Sequence, residues 1–264
     1  MRFIVLIKQV PSEVSPEMNA DFTVNRGRVR KITNPADVYA LSLALDGKKK
    51  MGGEVTCITM GPSSAVSSLQ EAALQGADQL IHVCDPLIAG ADTLVTARIL
   101  AEAVRYAGGA DVVFCGNSSV DGETGQVGAE LAVLLDLNCI RNVTDVDSMG
   151  PDSLECRCFS DEESGLYRVG LPAVLCVCPK RNPVILPTRA ALRRAEHMPV
   201  HTLTLADLGL QEISGKASSC TKVIHAGKRE HGRRKTRFLS GQDMTELFGI
   251  IRQGMADDGR REEK

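Results

Sequence analysis

Between residues 3 and 135 the chain repeatedly runs a short apolar stretch into a segment with helical spacing, and that alternation leaves very few folds open to it. Phe3, Ile4, Val5, Leu6 and Ile7 are continuously apolar, as suits a strand buried on both faces. A polar stretch over 11–33 follows. From Asn34-Pro35-Ala36-Asp37 onward, Val38, Leu41, Ala44 and Leu45 share one helical stripe, with Lys48, Lys49 and Lys50 at its far end, where cations favour the helix dipole, and Gly52-Gly53 as a stop. Residues 54–60 read as a second strand broken by Gly61-Pro62. Ser63 or Ser64 then caps a helix that turns Ala65, Leu69, Ala72 and Ala73 inward. Residues 79–83 form a third strand, and Gly90-Ala91-Asp92 opens a helix with Leu94, Ala97, Ala101 and Val104 spaced for burial. Residues 111–115 form a fourth, followed by a polar loop and a helix bearing Val127, Leu131, Leu134 and Leu135. The class is α/β: a doubly wound, mainly parallel sheet with right-handed crossovers.

Beyond Leu137 the pattern changes. Residues 154–159 and 166–169 flank the acidic turn 160–165 as a small antiparallel hairpin, residues 173–178 return as a buried strand, and Thr188 caps an Arg-rich helix reaching Ala195. From Gly215 the chain is polar and basic until Met244, Leu247, Phe248 and Ile251 make one amphipathic stripe. The expected division is a nucleotide-binding α/β domain over 1–200 and an extended C-terminal arm over 201–264 that contacts a partner subunit.

Composition narrows the function. A formal net charge of -2 lacks the broad positive field of a dedicated nucleic-acid binder, and with no Trp and 3% aromatic residues few rings can stack on bases. The basic cluster Lys228, Arg229, His231, Arg233, Arg234, Lys235, Arg237 therefore reads as a solvated or partner-facing tail. Nine cysteines without a framework spacing read as reduced thiols, which points to the cytoplasm. The apolar run before Lys8 is too short for a signal peptide or membrane span, so the chain is not expected to be membrane-embedded. Cys156-x-Cys158 and Cys176-x-Cys178 read as buried strand thiols, and Pro199 separates His197 from His201; no metal site is expected.

In a parallel α/β sheet ligands bind beyond the carboxyl ends of the strands, where helix N-termini offer free N–H groups. The richest such loop follows the fourth strand: Cys115, Gly116, Asn117, Ser118, Ser119, Val120, Asp121, Gly122, Glu123, Thr124, Gly125, Gln126, Val127. Its glycines and hydroxyls let backbone approach an anion and bond it with neutral donors. A loose turn is the plainer alternative on composition alone. It matches neither dinucleotide nor P-loop fingerprint, and Asp121 and Glu123 have no lysine beside them, so it reads as a site that stores a nucleotide without cleaving it.

Six stretches in register, Val5-Leu6-Ile7-Lys8-Gln9-Val10-Pro11, Asn34-Pro35 with Asp37 and Tyr39-Ala40-Leu41, Thr59-Met60-Gly61-Pro62, Gly76-Ala77-Asp78, Gly90-Ala91-Asp92-Thr93-Leu94-x-Thr96 and Val120-Asp121-Gly122-x-Thr124-x-Gln126-Val127-Gly128, resemble electron transfer flavoprotein beta subunits over about residues 1–200. The resemblance implies an adenine-nucleotide α-hydrolase-like fold and no catalytic side chain. It implies a pocket lined by Leu6, Asn34, Pro35, Ala36, Asp37, Met60 and the loop from Cys115 to Val127. The occupant would be FAD in bifurcating or nitrogen-fixation-linked members and AMP in simple relays. Asp92, Thr93 and Thr96 resemble the FAD-holding kind. Asn117-Ser118-Ser119 departs from the basic residue, glutamine and alanine of many members.

The same resemblance implies an alpha subunit carrying a further FAD, and a docking segment in which Leu186 anchors in an acyl-CoA dehydrogenase-type or other redox partner ahead of Arg189, Arg193 and Arg194. Electrons would pass between a dehydrogenase or NADH and an acceptor. The rival functions on a related fold are an ATP-using adenylating enzyme and a stand-alone nucleotide sensor.

Overall fold

The computed structural model describes residues 1–12, 30–159, 164–179, 187–222, 247–249 and 252. The chain divides into two units, Met1–Ala226 and Gly227–Lys264. In the second, 247–249 are helical with Phe248 exposed, while Met244 and Ile251 of the expected amphipathic stripe lie outside the described residues, as does the basic cluster of the tail.

In the first unit β1 (Arg2–Leu6) leads to a short antiparallel pair, β2 (Gln9–Pro11) and β3 (Lys31–Thr33), which the polar sequence there did not announce. Helix α1 (Pro35–Met51) has proline at its start, where the missing N–H breaks no bond, and Lys48, Lys49 and Lys50 in its last turn. Strand β4 (Glu54–Met60) enters a 3-10 turn over Ser63–Ala65 that runs straight into α2 (Val66–Gln75). Neither serine caps that helix: Ala65 holds the cap position, because the 3-10 turn extends the spiral backwards, and the Ser64 hydroxyl is bonded instead to Lys31 Nζ and Gln9 Oε1.

After β5 (Gln79–Val83), α3 (Thr93–Tyr106) starts at Asp92, whose side chain accepts the Val95 amide at 2.9 Å. Ala97, Ala101 and Val104 of the expected stripe are buried together with Val95 and Ile99, whereas Leu94, expected inside, stands 38% exposed in the first turn. Strand β6 (Val112–Gly116) leads through the polar loop to α4 (Val127–Leu135), with Leu131 buried and Val127, Leu134 and Leu135 packed at the core edge.

Strand β7 (Asn138–Met149) went unread because its polar, half-exposed residues carry no strand signal. The expected hairpin is β8 (Ser153–Phe159) with β9 (Ser164–Gly170), and β10 (Ala173–Val177) is fully buried. Helix α5 (Arg189–Glu196) is capped by Thr188, and β11 (Val200–Leu203) and α6 (Gly215–Ser218) follow.

The sheet order is β11-β5-β4-β1-β6-β10-β7-β8-β9, parallel from β11 to β7 and antiparallel over the last three strands. Alternate residues of β1 serve opposite faces: Phe3 and Val5 pack with Tyr39, Leu41 and Leu69 of α1 and α2, Ile4 and Leu6 with Ile99 and Leu131 of α3 and α4. The doubly wound α/β class holds. The expected boundary at residue 200 does not match the packing, since β11 pairs with β5 and Leu203, Leu205, Leu208, Leu210 and Ile213 bury in the same core. Among the described residues no helix is long and apolar enough to cross a membrane.

Candidate functional site

The carboxyl ends of the adjacent strands β4, β1 and β6 gather most of the expected site residues around Asp37. This carboxylate, 5% exposed in the first turn of α1, accepts the Lys8 amide at 2.8 Å through Oδ2, and the Gly116 amide at 2.9 Å and Asn34 Nδ2 at 3.1 Å through Oδ1. Burial pushes its carboxyl up to about 6, against the pull of those hydrogen bonds. Asp37 thus ties the ends of β1 and β6 to α1.

Gly116 is required by that contact, because a Cβ there would lie 2.4 Å from Asp37 Oδ1 and 2.8 Å from the Ala36 Cβ. Asn34 carries the tie into the loop: Nδ2 donates to the Ser118 carbonyl at 3.0 Å and Oδ1 accepts the Val120 amide at 3.4 Å. The Asn117 amide donates to the Val177 carbonyl at 2.8 Å, so the loop is also pinned to β10. Glu123 and Gly125 adopt left-handed backbone angles, φ 50 and φ 61, which fold the loop back toward α4. Gly122, Glu123, Thr124 and Gln126 are exposed there, making the turn an open surface, not an enclosed hole.

Lys8 corrects one sequence expectation. No lysine neighbours Asp121 along the chain, yet the end of β1 brings Lys8 Nζ to 2.7 Å from Asp121 Oδ1 and 3.1 Å from Ser119 Oγ. Partial burial works against ionisation of Asp121, but the Lys8 ammonium, with the Ser119 hydroxyl and a backbone amide, outweighs it and holds the carboxyl below the usual carboxylate range.

Leu6 and Cys115 are buried beneath the loop and Met60 is partly buried beside them. Gly128 lets α4 sit on the sulfurs of Cys115 and Cys176, which lie 3.8 Å apart on paired positions of β6 and β10. Unlike α3 and α5, α4 begins without a side-chain cap, so its first-turn N–H groups are left for other partners beside the glycine turn. That donor set, neutral amides and hydroxyls at strand ends, fits a phosphate-bearing ligand.

The loop before α3 joins the group through Thr93, whose hydroxyl lies 3.1 Å from Gln126 Oε1 and 3.0 Å from Glu130 Oε1. Thr96 is half-buried one turn on. Asp92 is otherwise engaged: Oδ1 caps α3 and Oδ2 accepts from Thr221 N at 3.0 Å and Thr221 Oγ1 at 3.2 Å. Glu130, Lys8 and Arg141, whose guanidinium lies against Gly125, were not expected as site residues; only Lys8 carried a signal, by standing within the first recognised motif.

Among the docking residues, Leu186 lies outside the described residues. Arg189 and Arg193 are exposed on α5, whereas Arg194 Nη2 also reaches the Ala73 carbonyl at 3.3 Å and so ties α5 to α2. A shallow cavity of about 230 Å³ opens on the β7–β9 side of the loop, lined by Cys139, Ile140, Arg141, Asn142, Cys158, Phe159 and Tyr167. All nine cysteines are unpaired, and among the described residues no cluster of three or more His, Cys, Asp or Glu is placed to hold a metal ion.

An open, doubly wound sheet with its polar turns collected at the carboxyl ends of the central strands places the domain in the parallel α/β class, in which ligands bind at those ends. The family model described as "Electron transfer flavoprotein domain" matches residues 21–208. Protein FixA of Azorhizobium caulinodans is 37% identical over 225 residues, covering 81% of this chain and 79% of its own. The electron transfer flavoprotein subunit beta of Thermoanaerobacterium thermosaccharolyticum is 35% identical over 232 residues, covering 85% and 86%. The acryloyl-CoA reductase electron transfer subunit gamma of Anaerotignum propionicum is 37% identical over 140 residues, covering 52% of each. The chain belongs to the electron transfer flavoprotein family.

Proposed function

We propose that the chain is the beta subunit of an electron transfer flavoprotein, pairing with an alpha subunit that carries an FAD and holding a second nucleotide, FAD in preference to AMP, which it does not cleave. The observation that carries this reading is the Asp37-centred shell, which joins α1, β1 and β6 to the glycine turn next to the uncapped start of α4. Similarity to proteins named for electron transfer, over most of the chain, supports the function.

In this role Leu6, Met60 and Ala36 wall the pocket, Asn34 and Asp37 hold the turn in shape, and the amides and hydroxyls of residues 117–127 bind phosphate. Thr93 and Thr96 extend the polar surface beyond an adenylate, which is the reason for preferring FAD. When bound, FAD supplies the electron transfer, and the protein supplies position and electrostatics. Lys8 is paired with Asp121, so it is not a free cation for a transferring phosphoryl group, and an adenylating reaction is disfavoured. Arg189 and Arg193, with Leu186, would steer a transient redox partner, since charge speeds encounter and a small anchor keeps release fast. NADH or a dehydrogenase would be the donor.

Co-purification with a candidate alpha subunit, followed by counting flavin and AMP per heterodimer, tests the reading. Two flavins are expected. One flavin with AMP would keep the beta-subunit role but make it a simple relay; one flavin with neither second FAD nor AMP would overturn nucleotide storage by this chain.

A further inference from the structure

Thr93, Gln126 and Glu130 meet between the first turns of α3 and α4, and their hydrogen bonds do not close. The threonine hydroxyl lies 3.1 Å from Gln126 Oε1 and 3.0 Å from Glu130 Oε1, but it carries one proton and can satisfy only one of those oxygens. Turning the Gln126 amide over supplies a donor to the threonine oxygen and frees the hydroxyl proton for Glu130 Oε1. Glu130 Oε2 is orphaned in either arrangement: it is shielded from solvent and has no hydrogen-bond partner. A carboxylate oxygen in that condition destabilises the ligand-free state.

The dipole of α4 favours an acid in its first turn, but a dipole alone gives no reason to shut one oxygen away from every donor. The residue as a whole is only half-buried and its neighbour Gln126 is exposed, so a ligand group entering beside Gln126 has a short way to Oε2 once the aliphatic torsions of Glu130 adjust. What satisfies it there must bring a proton. A phosphate oxygen would be repelled by an acceptor-rich cluster of this kind, whereas a sugar or ribityl hydroxyl, or a ring N–H, fits.

We propose that Glu130 is a ligand-contacting residue whose orphaned carboxylate oxygen accepts a hydrogen bond from a hydroxyl or N–H group of the bound nucleotide. The cluster then marks the donor-bearing end of the ligand, and the glycine turn before Gln126 marks its phosphate end. Glu130 thereby sets the direction in which the nucleotide lies. This rests on the nucleotide-storing role proposed above.

The test uses the full-length chain purified with its alpha-type partner, freed of nucleotide at this site, and titrated with AMP and separately with FAD. Wild type is compared with Glu130→Gln and Glu130→Met, both of which keep the helix and the side-chain length. Loss of a hydrogen bond to a charged acceptor is expected to weaken binding about tenfold or more in Glu130→Met, and loss of its charge assistance to weaken it by a smaller factor, above about twofold, in Glu130→Gln, which keeps one acceptor oxygen. Weakening for both ligands assigns the donor to the adenosine half they share, and weakening for FAD alone assigns it to the flavin and ribityl half; either outcome supports the proposal. The ligand-free Glu130→Gln complex is expected to melt no lower than wild type, because a neutral amide replaces an orphaned anion. Binding of both ligands by both variants within about twofold of a wild type that binds them overturns the role of Glu130 alone. A wild type that binds neither ligand overturns the storage role, and this proposal with it.

Discussion

Asp37 Oδ1 accepts the Gly116 amide at 2.9 Å, and the space between them is so tight that a single methyl group on Gly116 would lie 2.4 Å from that oxygen. A turn that must bring bare backbone against a buried carboxylate has no tolerance for a side chain. Gly116→Ala is therefore expected to destabilise the chain by about 1–3 kcal/mol, the usual range for overpacking, and to lower its nucleotide content. Urea denaturation and chromatography of the released nucleotide check both. Wild-type stability with unchanged content would remove Asp37 from the centre of the site.

The same carboxyl predicts a pH dependence. Its value rises to about 6 in the folded chain, against about 3.9 in an unfolded one, so between these limits the folded state holds more protons. Stability from this group is fully present below the lower limit and is lost as pH rises through the upper one. Relative to Asp37→Asn, the wild type should lose about 2 kcal/mol between pH 4 and pH 6.5, because each tenfold difference in proton affinity between the two states is worth about 1.4 kcal/mol and this window spans most, not all, of the two titrations. Denaturant curves at several pH values decide it, and parallel profiles for the two proteins would contradict the burial argument.

The four strand and helix pairs and the hairpin were legible because buried strands such as 3–7 are apolar throughout and the α1, α2 and α4 stripes repeat at helical spacing. β7 was not, because Asn138–Met149 is polar and half-exposed, and its place beside β10 is set by tertiary pairing. Leu94 shares its stripe with the buried Ala97 and Ala101, but it stands in the first turn of α3, so helical spacing alone did not tell that it is exposed. The turns at the carboxyl ends of the strands were readable from glycine, hydroxyl and motif content. Lys8 and Asp121 were not readable as a pair, since 113 positions separate them and only the sheet brings them together.

That pair gives a second electrostatic prediction. Lys8 is about half exposed, so solvent screening keeps the contribution small, and Lys8→Met should lower stability by less than about 1 kcal/mol. Its larger effect should be on the loop. A double-mutant cycle of Lys8→Met with Asp121→Asn is expected to show coupling in nucleotide retention that fades as salt is raised. Strict additivity at low salt would mean that the contact does not hold the turn.

On α5 the arginines should separate by role. Arg193→Glu reverses an exposed charge and is expected to slow reduction of a redox partner, more so at low salt, with melting temperature unchanged. Arg194→Glu should slow it too but also lower the melting temperature, because it breaks the contact with Ala73. Stopped-flow traces with Leu186→Ala as a third variant complete the comparison. If all three react at the wild-type rate with full cofactor content, the docking assignment fails.

Gly128 offers a test that links packing to the site by rescue. A Cβ there would lie 2.4 Å from Cys176 Sγ and 2.8 Å from Cys115 Sγ, so Gly128→Ala must push the first turn of α4 off the sheet. Val127, the first residue of α4, is among the amides proposed to bind phosphate, which makes the displacement a functional lesion as well as a packing one. The single substitution should destabilise by about 1–3 kcal/mol and lower nucleotide retention. Adding Cys176→Ala removes the nearer sulfur and gives α4 room to settle, so the double variant should recover part of both losses, though Cys176→Ala alone destabilises by leaving a small cavity. Recovery of stability without recovery of nucleotide would show that α4 packs on these thiols but does not present its amides to the ligand. Additive losses in both measurements would show that the sulfurs are not what α4 rests on.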